Sequence, residues 1–168
     1  MADLLKKYIP SEVYRYFLGE FDDREQGRLK FELEEFLKFA ILLSHAPVDQ
    51  EWFIPVNRDI DLIWHAYILQ TREYSRFCAS LPGHRKFLHH RSLPYSEYRV
   101  NRSDEELQVE HAWWLASYVS TFGAFRKEIS HYWTTVRYLS TRHGWSLSDI
   151  NFFGLSLHKE RGIGPHSY

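Results

Sequence analysis

Apolar side chains recur along this chain at helical spacing, and no segment shows the strict alternation of a half-buried strand. Leu29, Leu33, Phe36, Leu37, Ala40, Ile41 and Leu43 predict a helix over 29–44, closed by His45-Ala46-Pro47. An earlier helix over 10–20 opens at Pro10-Ser11 and carries Val13, Phe17 and Leu18 as its apolar stripe. The charged stretch from Gly19 to Gly27 joins the two. Residues 48–57 read as a connector between prolines 47 and 55, with Trp52 and Phe53 pinning it to a core.

A third helix starts at Asn57 to Asp59, either of which can cap it, and runs to about Ser80, where Pro82-Gly83 breaks it. Residues 84–102 read as irregular, with room for one short turn. Ser103 and Glu106 form a capping box that opens a helix through Trp113, Trp114 and Tyr118 to Thr121, with Gly123 as its stop. A helix over 128–143 turns Ile129, Tyr132, Trp133, Val136 and Leu139 inward, and Gly144 ends it. Ser146 to Asp149 can cap a last short helix, and 162–168 reads as a frayed tail. The expectation is all-α: an irregular bundle of five or six helices in one domain over 1–161.

The 168 residues are enough to bury a core. Aromatics stand out at 17%, with 6 Trp, 11 Tyr and 12 Phe, and suit cores, interfaces and ligand pockets alike. A net charge of −1 argues against a dedicated nucleic-acid binder, despite the local basic run His84-Arg85-Lys86 and His89-His90-Arg91. One cysteine, Cys78, excludes an intrachain disulfide and fits a reducing compartment. The start, Met1 to Lys7, lacks the apolar run of a secretory signal, and no stretch reaches the roughly 20 apolar residues of a membrane span. These features together predict a soluble cytoplasmic protein.

Chemistry concentrates between Asp61 and His90. Asp61 and His65 are four residues apart and share a helical face. They can ligate one metal, or Asp61 can orient the imidazole of His65 from behind. Cys78 is a poor third ligand: the 13 residues after His65 correspond to roughly 20 Å of rise and about 220° of rotation. It reads instead as a small buried hydrophobe. Beyond Pro82-Gly83, about seven extended residues span roughly 23 Å, enough to bring His89-His90 back beside His65. Neighbours in an extended segment point to opposite sides, so one of His89 and His90 is expected at the site. Asp61, His65 and one of these histidines would form a two-histidine-one-carboxylate set suited to iron or zinc. In an enzyme, His65 would be ligand or general base and Asp61 its orienter, the catalytic pair.

Competing readings stand beside this one. An Asp–His pair on a helix often serves the fold alone. Glu110-His111, with Trp113-Trp114, can complete a pocket or simply edge a core, and His131-Tyr132 carries the same ambiguity. The aromatics permit a haem pocket but nothing specifies one. The glycines make no phosphate-binding fingerprint, there is no nucleophile elbow, and there is no pair of Glu-x-x-His motifs of the di-iron bundle kind.

The pattern Asp61-x-x-Trp64-His65, then Ile68-Leu69-x-Thr71-x-x-Tyr74-x-x-Phe77-Cys78 and His89-His90, resembles bacterial relatives of the glycine-rich domain-containing proteins of plants. The likeness takes in Ile54 to Ile60 and, more loosely, Tyr118-x-x-x-Phe122-Gly123, and covers roughly residues 30 to 125. It implies a helical domain; the plant members are larger proteins linked to development and stress. Those members tend to carry a second histidine two places after the Trp-His, where this chain has Tyr67. The expected function is a small bacterial accessory protein or tailoring enzyme whose His-centred site binds a divalent metal or small polar ligand. The alternative is a helical protein–protein interaction domain in which the motif is structural. Neither a nucleic acid nor a membrane is expected as partner.

Overall fold

The computed structural model describes residues 4–47, 52–90, 95–100 and 102–165. The all-α expectation holds among them: they form ten helices and no strand segment. Positions 48–51 of the connector, Arg91 of the basic run and 166–168 of the tail lie outside the described residues. The chain divides into two compact units, residues 1–45 with 56–88 and residues 46–55 with 89–168.

In the first unit, α1 (Leu4–Tyr8) and α2 (Ser11–Glu20) precede the long α3 (Gln26–His45). Helices α4 (Arg58–Leu69) and α5 (Thr71–Ser80) follow. α3 packs against α4 and α1, and α2 and α5 also lie against α4. The core joins Phe17 of α2, Leu33, Phe36 and Leu37 of α3, Ile60, Ile63, Trp64 and Tyr67 of α4, and Phe77 of α5, all buried. Tyr67 sits at its centre, 5.5 Å from the Phe17 ring and 5.0 Å from Phe77. α3 also buries charge: Glu32 is paired with Arg24 and Arg28, and Glu35 with Lys38 at 2.6 Å. Carboxylates removed from water need such partners.

After α5 the chain returns to the C-terminal end of α3. Gly83 donates its N–H to the Ser44 hydroxyl at 3.1 Å, and Arg85 donates to the Ser44 carbonyl at 3.0 Å. A Cβ on Gly83 would stand 2.1 Å from that carbonyl oxygen, so only glycine allows this approach. Farther along, Leu88 is held by the Tyr74 hydroxyl, which donates to its carbonyl at 2.5 Å.

In the second unit, α6 (Tyr95–Val100) leads to α7 (Asp104–Phe122), and α8 (Lys127–Ser130) and α9 (Thr134–His143) lead to α10 (Leu147–Arg161). α7 and α10 are the main packed pair, brought close at Gly154, where a Cβ would meet the Val119 side chain at 3.0 Å. Ser103 and Glu106 cap α7 reciprocally, as the sequence predicts, and Ser146 with Asp149 does the same for α10. Trp52 and Phe53 anchor the connector: Trp52 packs on Trp113 at 4.7 Å, and Phe53 gives its N–H to the Glu110 carboxylate.

The expected five or six helices are therefore too few. The predicted helix from Asn57 to Ser80 is two, because Gln70 leaves helical geometry at ψ 59. The predicted 128–143 helix is also two, because Thr134 donates its N–H to the Pro55 carbonyl at 2.7 Å instead of continuing from α8. α1 was not expected as a helix, α6 is a six-residue helix where the sequence allows one short turn, and α10 is a full 15 residues rather than a short helix. No helix among the described residues is long and apolar enough to cross a membrane.

Candidate metal site

Asp61 and His65 lie on the outer face of α4. The Asn57 side chain caps this helix by accepting the Ile60 N–H at 3.2 Å, which sets its register. Ile60, Ile63, Trp64 and Tyr67 then face the core, leaving Asp61 and His65 about one third and one half exposed. His65 Nδ1 lies 3.4 Å from Asp61 Oδ2 and 2.9 Å from the Asp61 carbonyl. A carbonyl only accepts, so Nδ1 carries the proton and Nε2 is the basic nitrogen, the form a metal takes.

The neighbouring Trp64 anchors this helix. It is buried and donates its indole N–H to the Tyr74 hydroxyl at 2.8 Å, and Tyr74 in turn donates to Leu88. The Asp-x-x-Trp-His pattern thus sets one anchoring ring beside one presented imidazole. His90 follows two residues past Leu88. One ligand-type atom each of Asp61, His65 and His90 lies within 4.8 Å of the other two. His89 is exposed and is not part of this group, whereas Leu88 is buried, the alternation of an extended segment. A tetrahedral ion with bonds of about 2.0–2.1 Å needs ligand atoms about 3.3 Å apart, inside the 4.8 Å that bounds this group.

Other candidates lie elsewhere. Cys78 is fully buried, outside the group, and burial pushes its thiol up, which keeps it protonated. Tyr67 belongs to the aromatic core and not to the exposed face. His111 and Glu110 point to different neighbours. His111 Nδ1 meets the Thr135 hydroxyl at 2.8 Å, and burial lowers its pKa. Glu110 accepts from the Tyr98 hydroxyl at 2.6 Å and from Phe53, and burial lifts its carboxyl to about 7. His131 is exposed beside the Tyr132 ring, 3.9 Å between centroids.

Sequence reasoning missed one feature: an open cavity of about 300 Å³ lined by Gly144, Trp145, Asp149, Phe152 and Phe153. The adjacent phenylalanines, which cannot both face one core, were the available signal. No family model matches the sequence, and neither a curated protein nor a solved structure matches it.

Proposed function

We propose that the protein binds a divalent transition-metal ion through Asp61, His65 and His90. The observation that carries this reading is the gathering of those three ligand-type side chains, none fully buried, around one point. The proton on His65 Nδ1 supports it, because the Asp61 carbonyl turns the ring so that Nε2 supplies the lone pair. Two imidazoles and one carboxylate suit zinc or ferrous iron, and disfavour magnesium and calcium, which take all-oxygen shells. Bound there, such an ion would supply Lewis acidity or lower the pKa of a coordinated water. The chain's own part would be to supply three donors and to leave coordination positions for water or a small polar substrate. The resemblance in the Asp61-to-His90 motif accords with this reading, since the same residues build the anchor and the donor set. The role of a small bacterial accessory or tailoring enzyme belongs to the same proposal.

Metal analysis of protein purified without a histidine tag tests it. We expect stoichiometric zinc or iron, lost in His65→Ala and His90→Ala variants whose helical circular dichroism is unchanged. His89→Ala should keep its metal. No metal after loading with either ion, together with an unfolded His65→Ala, would make the motif structural.

A further inference from the structure

A second site is built where α9 gives way to α10. Gly144 takes the left-handed conformation (φ 67, ψ 18), a turn that glycine makes without strain, and places Trp145 just before the Ser146 cap. Trp145 and Phe153 then meet edge to face, with centroids 5.2 Å apart and planes at 85°, so their rings make two perpendicular walls. Phe152 adds a third ring to the cavity and is 74% exposed. A phenylalanine so placed contributes little to a core and presents its face to solvent.

The polar groups of the cavity are equally telling. Asp149 Oδ2 accepts from the Ser146 N–H at 2.9 Å and from its hydroxyl at 2.6 Å, and these bonds hold the carboxyl below its usual range. Oδ1 takes no hydrogen bond among the described residues. The Trp145 indole N–H likewise has no acceptor among the described residues. Arg142 and His143 close α9 just before the turn but do not line the cavity.

We propose that this cavity binds a small free quaternary ammonium of the choline type. Aromatic faces carry negative potential, and perpendicular rings with a carboxylate beside them complement a cation from several sides. A methylated ammonium presents diffuse charge and apolar surface together, and so gains from both kinds of wall. A primary ammonium would first have to shed tightly held water. A neutral hydrocarbon would leave Asp149 unmatched. A volume of about 300 Å³ accommodates such a ligand with a few waters. The hydroxyl of choline can donate to Asp149 Oδ1.

Calorimetric titration of the full chain with choline, and with its neutral carbon isostere 3,3-dimethylbutan-1-ol, tests the proposal. We expect one saturable choline site, with the isostere at least about fivefold weaker. Phe152→Ala, at an exposed position that leaves folding intact, should weaken choline several-fold, and Asp149→Asn, which keeps a capping oxygen, should do so too. Equal binding of the isostere would overturn the cation site and leave an apolar groove. Absence of choline binding, or choline binding untouched by Phe152→Ala, would overturn it outright. So would binding to phosphatidylcholine vesicles without binding to free choline. A Phe152-dependent dimer indifferent to choline would instead make this face a contact between copies of the chain.

Discussion

Trp64 and Tyr74, ten residues apart on α4 and α5, are joined by a buried hydrogen bond of 2.8 Å from the indole N–H to the phenol oxygen. The phenol O–H donates in turn to the Leu88 carbonyl, so one hydroxyl ties α4, α5 and the returning segment together. Tyr74→Phe keeps the ring and removes both bonds. It should destabilise the protein by roughly 2–6 kcal/mol, since a buried donor and a buried acceptor each lose their partner at about 1–3 kcal/mol. It should also weaken metal binding, because the chain reaches His90 from Leu88. Urea unfolding and a zinc titration measure the two effects. Unchanged stability would show that water replaces the hydroxyl.

Gly83→Ala probes the same return from its other end. The new methyl would stand 2.1 Å from the Ser44 carbonyl oxygen, and backbone cannot swing aside as a flexible side chain does. A loss of about 1–3 kcal/mol is expected, the usual range for forced overpacking. The amide protons of Gly83 and Arg85 should lose protection against hydrogen exchange. Wild-type protection at both amides would mean the segment does not close on Ser44.

These contacts mark where the fold was legible from sequence and where it was not. The Asn57 cap, the Ser103 box and the Gly144 stop are local signals, and each appears where its residues predict. The break at Gln70 is not local: glutamine is a good helix former, and nothing in its neighbours signals a turn. The split between α8 and α9 depends on the Pro55 carbonyl, some 80 residues away in the chain, capturing the Thr134 N–H. Asp61 and His65 were visible because four-residue spacing dictates a shared face. Which of His89 and His90 shares a ligand group with them was not, since residue type is the same at both positions and only the backbone direction distinguishes them.

Glu110 makes stability depend on pH in a definite direction. Its carboxyl is raised to about 7 in the folded protein, from an ordinary value of 4.5, chiefly by burial. Between these values the folded state keeps a proton that the unfolded state has lost, so stability falls as pH rises from about 4.5 to about 7 and is level above. The difference amounts to about 3 kcal/mol. His111 works the opposite way: burial lowers its pKa, so stability falls as pH drops below its ordinary 6.5. Subtracting the pH profile of Glu110→Gln from that of the wild type isolates the glutamate. A difference profile that is flat from pH 4.5 to 7 would refute the assignment.

Tyr67 offers a stabilising substitution. Its hydroxyl is buried with no hydrogen-bond partner among the described residues, while its ring packs on Phe17, Phe36 and Phe77. Tyr67→Phe keeps the ring and removes the unsatisfied oxygen, which should raise stability by about 1 kcal/mol. Thermal melting would register this as a higher Tm. A lower Tm would reveal a partner for that hydroxyl, a buried water included.

Cys78 gives the sharpest separation between the metal site and the core beside it. Its side chain is fully buried, and burial raises the thiol pKa against opposing hydrogen bonds from the Leu88 backbone and Tyr74. A protonated thiol sealed from solvent is a poor nucleophile and a poor ligand. In native protein at pH 8, a thiol reagent such as 5,5′-dithiobis(2-nitrobenzoate) should therefore react only as fast as the structure opens, and in urea at once. Cys78→Ala should keep the full metal stoichiometry that His65→Ala loses, though at some cost in stability. Rapid labelling of the native thiol would show that it is not sealed in the core, and loss of metal in folded Cys78→Ala would place the sulfur in the coordination sphere.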